Sequence, residues 1–220
     1  MKFGHLILVT SCMAFGAQNA HAAGVEFDVE FTNSSYQVMA GDTFSDLLNQ
    51  HQLSTTISSN SVTALAGINT TLYAGGITGD YSVLISATLD IKLAGSYEFQ
   101  IGADWGRGGG VALFDTASNT ILEETVDSSD IWWANNWLHP DVISTTYDLL
   151  ESQYTIMWLG FEGCCAGSST IQFAFDGGGF STLNTTTIAP SVVPVPASVY
   201  LFASAFMGLM GLRARCKSPI

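Results

Sequence analysis

Two adjacent thiols, Cys164 and Cys165, stand inside Gly160-Phe161-Glu162-Gly163-Cys164-Cys165-Ala166-Gly167; the other two cysteines, Cys12 and Cys216, lie near the chain ends. In an oxidising compartment such a pair has four options: a strained disulfide between neighbours, bridges to a second molecule, a thiolate–metal contact, or free thiols. Closing so small a ring requires an unusual backbone, which the flanking Gly163 and Gly167 permit. The strain makes the bond easier to reduce. The pattern predicts a vicinal disulfide at a hairpin tip, with intermolecular bridging, redox chemistry or metal binding as alternatives. A two-sulfur zinc site needs two further ligands. Neither His51 nor His139 stands at a short ligand spacing from the pair.

A second chemical constellation is aromatic. All five tryptophans fall between Trp105 and Trp158. Trp158 alternates with Ile156 and reads as core, whereas Asp130-Ile131-Trp132-Trp133-Ala134-Asn135-Asn136-Trp137-Leu138-His139 mixes flat rings with amides and an acid. Sugar rings carry apolar C–H faces and hydroxyl edges, so Trp132, Trp133 and Trp137 beside Asn135 suit carbohydrate. Core packing of most of these rings is the competing expectation. Asp104-Trp105-Gly106-Arg107-Gly108-Gly109-Gly110 reads either as a flexible hairpin with Trp105 over the edge of a sheet or as a binding loop built on Asp104, Trp105 and Arg107. It matches no phosphate-loop pattern. The chain contains no H-E-x-x-H, no G-x-S-x-G and no nucleophile-triad spacing. Glu123-Glu124 would point to opposite faces of a strand, so they cannot share a glycosidase site. The expectation is a non-enzymatic protein with no catalytic residues and no bound cofactor.

The elements that must position these groups are strands. Val25-Glu26-Phe27-Asp28-Val29-Glu30-Phe31 alternates apolar and acidic residues, the mark of a half-buried strand. Similar segments recur at 81–92, 96–102, 111–115, 120–126, 153–161 and 169–175, separated by Gly, Asn, Asp and Ser, with a turn at Ala94-Gly95-Ser96. Many short strands with polar turns predict an all-β, antiparallel, jelly-roll-like sandwich. One helix is expected at 43–51, started by Thr43 and Asp46. A second short helix or turn is expected near 141–151. Ser- and Thr-rich stretches at 54–63 and 181–187 read as loops or edge strands, and there is no internal repeat.

The two ends read as addresses. Residues 1–22 join Lys2, the apolar run Leu6-Ile7-Leu8-Val9 and Ala20-His21-Ala22, the layout of a cleaved signal peptide read by signal peptidase. At the other end no side chain from Val192 to Leu212 is charged, 21 positions, and Arg213, Arg215 and Lys217 follow. That is near the ~20 residues that cross a bilayer, with cations holding the tail inside. The organisation expected is a signal peptide at 1–22, a sandwich domain at 23–187, a linker at 188–198, a transmembrane helix at 199–212 and a basic tail at 213–220.

The segment Val193-Pro194-Val195-Pro196-Ala197, the apolar helix and the tail with Arg213 and Arg215 resemble the PEP-CTERM sorting signal of Gram-negative bacteria, with Val195 where the namesake has Glu. The resemblance implies processing by an exosortase-type protease, transient insertion in the inner membrane, and delivery to the cell surface or the exopolysaccharide matrix. Cys164-Cys165-Ala166-Gly167 matches the namesake motif of the CCXG family of PEP-CTERM proteins, which implies that Cys164, Cys165 and Gly167 matter but implies no activity. More loosely, Gly95-Ser96-Tyr97-Glu98-Phe99, Asp104 and Leu113-Phe114-Asp115 resemble the core of protective-antigen-type lectin domains, with 152–175 as their closing hairpin. Those are jelly rolls that often bind glycans through calcium held by adjacent Asp residues. Here Ala103-Asp104 stands at that pair and Thr116 follows Asp115, and the resemblance still makes calcium the ion to consider.

Charge narrows the partners. The chain has 6 Lys+Arg against 19 Asp+Glu. Between the two processed ends only Lys92 and Arg107 are cationic, while every acid lies from Glu26 to Asp176. Such a domain cannot neutralise a row of phosphates, so nucleic acid is excluded as a partner. Extracellular polysaccharide is the partner the aromatic segment favours. The alternative function is a thiol-dependent surface protein using Cys164 and Cys165.

Overall fold

The computed structural model describes residues 26–62, 65 and 67–183. The expected signal peptide, linker, sorting motif (Val193, Pro194, Pro196, Arg213, Arg215) and transmembrane helix lie outside the described residues. Among the described residues no helix is long and apolar enough to cross a membrane.

The chain builds a two-sheet antiparallel sandwich, as the alternation predicts. Its strands are β1 (Glu26–Asn33), β2 (Thr55–Val62), β3 (Ile68–Asn69), β4 (Tyr81–Ile91), β5 (Gly95–Trp105), β6 (Gly109–Asp115), β7 (Thr120–Asp127), β8 (Ile131–Trp132), β9 (Ile143–Leu149), β10 (Ser152–Glu162), β11 (Ser168–Phe175) and β12 (Ser181–Thr182). The first sheet runs β2-β1-β4-β10-β6-β7. In the second, β5 is central, flanked by β11 on one side and by β9 and β8 on the other, while β3 and β12 pair with β11. Strand β1 shows the logic: Phe27, Val29 and Phe31 are fully buried between the sheets, and on the outer face Asp28 and Glu30 accept hydroxyls from Ser61 and Thr56 of β2. The core between the sheets takes one alternate set from each strand: Ile85, Ala87 and Leu89 of β4, Phe99 and Ile101 of β5, Ile156 and Trp158 of β10. Trp158 is core as expected, and its indole N–H donates to Ser169 Oγ of the opposite sheet at 2.9 Å.

The expected helix is present as α1 (Phe44–Leu53), one residue later at its start and two later at its end. Thr43 and Asp46 cap it reciprocally: the Thr43 N–H donates to the Asp46 carboxylate at 2.9 Å and the Asp46 N–H to Thr43 Oγ1 at 3.2 Å. Phe44, Leu47 and His51, one helical face, are buried. Phe44 and Leu47 pack with Val38, Ala112, Phe114, Leu159 and Phe161 on the outer face of the first sheet. That second core explains why β6 is buried on both faces.

Several expectations are corrected. The helix or turn expected near 141–151 is strand β9, in which Ile143, Thr145, Tyr147 and Leu149 alternate inward against β5. The chain does not fold back as a hairpin at 92–94, 106–108 or 163–167. Strands β4 and β5, β5 and β6, and β10 and β11 each belong to opposite sheets. Their connections are arches over the ends of the sandwich, glycine-bearing at 106–108 and 163–167, so 152–175 is not a closing hairpin and the cysteines do not sit at a hairpin tip. The stretch at 54–63 is realised as edge strand β2.

Candidate functional site

One end of the sandwich gathers most of the residues singled out from sequence. The starts of β4, β6 and β11 and the ends of β5 and β10 meet there, because the antiparallel pairing puts Glu162 opposite Tyr81, Gly160 opposite Gly109 and Ser169 opposite Ala103. Strand β8 closes the group by pairing Trp132 with Asp104 and Ile131 with Trp105.

Trp105 is 1% exposed. Its ring fills a slot over Gly109 and Gly160, where an added Cβ would collide with ring atoms. This removes Trp105 from the solvent surface: it is a core wedge between sheets rather than a contact for a ligand. Trp133 is also buried. Its ring lies over Gly102, its N–H donates to the Ala103 carbonyl at 3.1 Å, and Trp137 packs on it at 4.7 Å between ring centroids. Sequence spacing could not separate these rings from Trp132, because a short strand followed by turns has no fixed period.

Trp132, by contrast, is 56% exposed. Its backbone N–H is held by Asp141 Oδ2 at 3.1 Å, and its ring meets the His139 imidazole edge-on at 5.9 Å. Residues 133–142 wind as successive turns: Asn136 N–H donates to the Trp133 carbonyl, His139 N–H to that of Asn136, and Val142 N–H to that of His139. Ala134 and Asn135 both take left-handed backbone, and the Asn136 side chain accepts from the Leu138 N–H. The result is a self-braced loop anchored by buried Trp133. It presents Trp132, Asn135, Asn136 and the 92%-exposed Leu138 to solvent, with Trp137 and His139 half-buried beside them. His139, considered in the sequence as a metal ligand but not as a loop contact, and Asp141, not considered, are also members; the i, i+2 spacing of a ring and an acid was the available signal.

Arg107 is turned to a structural task. Its guanidinium pairs with Asp80 at 2.6 Å, its N–H donates to the Phe161 carbonyl at 3.0 Å, and its own carbonyl accepts from the Val38 N–H and the Gln37 amide. Asp104 lies near Glu162 and Asp130; burial first, then those two charges, raise its carboxyl above the usual range. Among the described residues no three His, Cys, Asp or Glu side chains converge as a metal-ligand set. Ala103, in place of a second Asp, leaves Asp104 without the neighbour that the lectin likeness would supply for calcium.

Glu162, unweighed in the sequence, is the anchor of this end. It is 2% exposed, and its carboxylate accepts the N–H groups of Gly163 (2.7 Å), Cys164 (2.8 Å) and Gly106 (2.9 Å). Beyond it, Cys164 and Cys165 are exposed free thiols with sulfurs 2.7 Å apart. A Cβ on Gly167 would collide with the Asp104 carbonyl, which explains the glycine of the motif.

Two further features lie elsewhere. His51 Nδ1 is 2.8 Å from Ser82 Oγ and its Nε2 is 3.8 Å from Glu30, a serine–histidine–carboxylate set that no sequence pattern marks. Ser82 is fully buried and His51 1% exposed, so neither faces solvent where a substrate would approach. A groove of about 580 Å³ runs between Asn33–Gln37 and the end of α1, lined by Ser34, Tyr36, Gln50, Leu53 and Thr55. Its one ring, Tyr36, packs edge-on against Phe161 and donates its hydroxyl to Asp42 at 2.7 Å, a bond that pushes the phenol up to about 12.

No protein-family model and no curated protein matches the chain. Among solved structures it is similar to the epithelial adhesin 9 A domain of Candida glabrata, solved with Galβ1-3GlcNAc, at 12% identity over 76% of this chain and 93% of that chain (TM-score 0.48). It is also similar to a PA14 sugar-binding domain of an RTX adhesin, at 12% identity over 74% and 97% (TM-score 0.42). A third is the PA14 domain of an antifreeze protein, MpAFP, at 14% identity over 74% and 88% (TM-score 0.46).

Proposed function

We propose that this chain is a non-enzymatic carbohydrate-binding surface protein whose 130–142 loop docks extracellular polysaccharide. The observation that carries the reading is Trp132, a large ring 56% exposed on a loop that is otherwise braced and anchored. An indole left in water on a rigid support is a flat apolar face held ready, and the C–H face of a pyranose stacks on such a surface while its hydroxyls reach amides and carboxylates. Asn135, Asn136 and His139 supply those polar partners. The polar groove beside α1 carries one ring, Tyr36, and that ring is already engaged by Phe161 and Asp42. The loop is therefore favoured over the groove.

Export and sorting belong to the same reading. The signal-peptide layout of 1–22 and the ordered sequence of Val193-Pro194-Val195-Pro196-Ala197, apolar run and Arg213/Arg215 tail support delivery by signal peptidase and an exosortase-type protease to the Gram-negative surface or exopolysaccharide layer. Mass spectrometry of the exported protein tests this: mature termini near Ala23 and within the Pro-x-Pro region are expected, and an unprocessed C-terminus overturns it.

Binding is tested by polysaccharide pull-down and glycan-array titration of the protein, its Trp132→Ala variant and a Gln50→Ala variant in the groove. Trp132→Ala should weaken binding at least about tenfold, equal to about 1.4 kcal/mol, with thermal stability unchanged because the ring is exposed. Binding by the Trp132→Ala variant as tight as by the parent, or lost only in Gln50→Ala, overturns the loop assignment.

A further inference from the structure

The connection from β10 to β11 is braced at its base and open at its tip. At the base, Glu162 holds the Gly163 and Cys164 N–H groups together with that of Gly106 from the neighbouring arch. The Arg107 side chain lies so close to Gly163 that a Cβ there would come within 2.7 Å of its Nε. At the tip, both cysteines are exposed, their sulfurs 2.7 Å apart, and Cys165 has left-handed backbone at φ +64°. A disulfide between neighbours needs unusual backbone geometry, and here the fold already holds an uncommon conformation at one of the two residues. The same strain leaves such a bond easy to reopen, as exposed and strained disulfides are the labile ones.

We propose that Cys164 and Cys165 form a reversible two-electron dithiol–disulfide site that exchanges with the disulfide of a small thiol. This reading stands apart from glycan binding and uses none of the same side chains. Contact with Cys165, then burial and the charge of Glu162, push the Cys164 thiol up to about 11, and with the two exposed sulfurs 2.7 Å apart either one can open the exchange. One of the two thiols loses its proton to solvent, its thiolate bonds to one sulfur of R–S–S–R, and one RS⁻ leaves. The other thiol then loses its proton and attacks the first cysteine's sulfur, the mixed disulfide breaks, and the second RS⁻ leaves. The two released thiolates take up the two protons. The pair is oxidised by two electrons and the small disulfide is reduced to two thiols; excess R–SH runs the sequence backward.

The test uses the full chain in glutathione buffers of graded reduced-to-oxidised ratio, with acid trapping, alkylation and mass analysis of the peptide that spans Glu162 to Phe173. Both alkylatable thiols should be lost together at one ratio, the peptide should lose two hydrogens without gaining a second peptide, and excess reduced glutathione should restore both. Cys164→Ser and Cys165→Ser should each stop at a glutathione adduct on the remaining cysteine, with no loss of two hydrogens. Full alkylation at the most oxidising ratio overturns the site. Peptides joined between two chains overturn it in favour of crosslinking.

Discussion

Glu162 illustrates how one buried acid can organise an otherwise exposed end of a molecule. Three backbone N–H groups from two separate arches converge on its carboxylate, so the charge is solvated by the protein in place of water. Glu162→Gln puts an amide donor where one of those N–H groups now donates. A loss of about 2 kcal/mol is expected, read from the denaturant midpoint. The Cys164 thiol should titrate lower in the variant, because Glu162 is one of the charges that raise it. His51 makes the opposite kind of prediction. Burial lowers its pKa, against the pull of Glu30, so the folded state prefers the neutral ring bonded to Ser82. With the folded pKa below the unfolded value, the contribution is present at neutral pH and above. It is lost as pH falls from about 6.5 through the depressed folded value. The melting temperature should therefore fall on acidification in that window, and His51→Gln should remove the His51-linked part of the slope; an unchanged slope would mean that His51 is not the titrating group.

At the scale of elements, the arches decide where side chains end up. A glycine-rich connection between two alternating strands reads as a hairpin because hairpins are the commonest short link between antiparallel strands. In this fold the links at 92–94, 106–108 and 163–167 cross between sheets, a choice set by which strands pair over long sequence distances. The arch from β5 to β6 brings Gly109 and Gly160 against the Trp105 ring, so the glycines are there to be thin. Gly160→Ala should cost about 1–3 kcal/mol by overpacking. Gly179→Ala, at an exposed glycine with open space around it, should stay within about 0.5 kcal/mol. Equal midpoints for the two variants in chemical denaturation would refute the wedge. Strand β9 is the longest element that local reading missed. Tyr147-Asp148-Leu149-Leu150 is compatible with a helix, and only pairing with β5 selects the alternation that buries Tyr147 and Leu149.

Across the whole molecule, the charge imbalance is the dominant long-range term. All nineteen acids lie from Glu26 to Asp176, a stretch whose only Lys or Arg residues are Lys92 and Arg107, and each of these cations is spent on a neighbouring acid, Asp90 and Asp80. Self-repulsion of this size opposes the compact state and is relieved by screening. Raising salt from about 0.01 M to about 0.15 M shortens the Debye length from ~30 Å to ~8 Å. The melting temperature should rise over that range, and a flat or falling trend would show that the acids are too widely spaced to matter.

The amino-acid sequence by itself determined most of the long strands, the capped helix, the acidic surface and the grouping of cysteines and tryptophans. Each rests on a local rule: period-two alternation, a cap three residues from its partner, a count of charges. The tertiary structure alone decided which ring faces water. Trp105, Trp132 and Trp133 are chemically the same residue, and only the slot over Gly109 and Gly160, the floor at Gly102 and the short pairing of β8 with β5 separate two core wedges from one exposed face. Glu162 and Ser82–His51–Glu30 were likewise invisible beforehand. Gly106 reaches Glu162 from 56 residues away, and the helix and two strands that carry His51, Ser82 and Glu30 are likewise far apart in the chain, so no spacing marks either set.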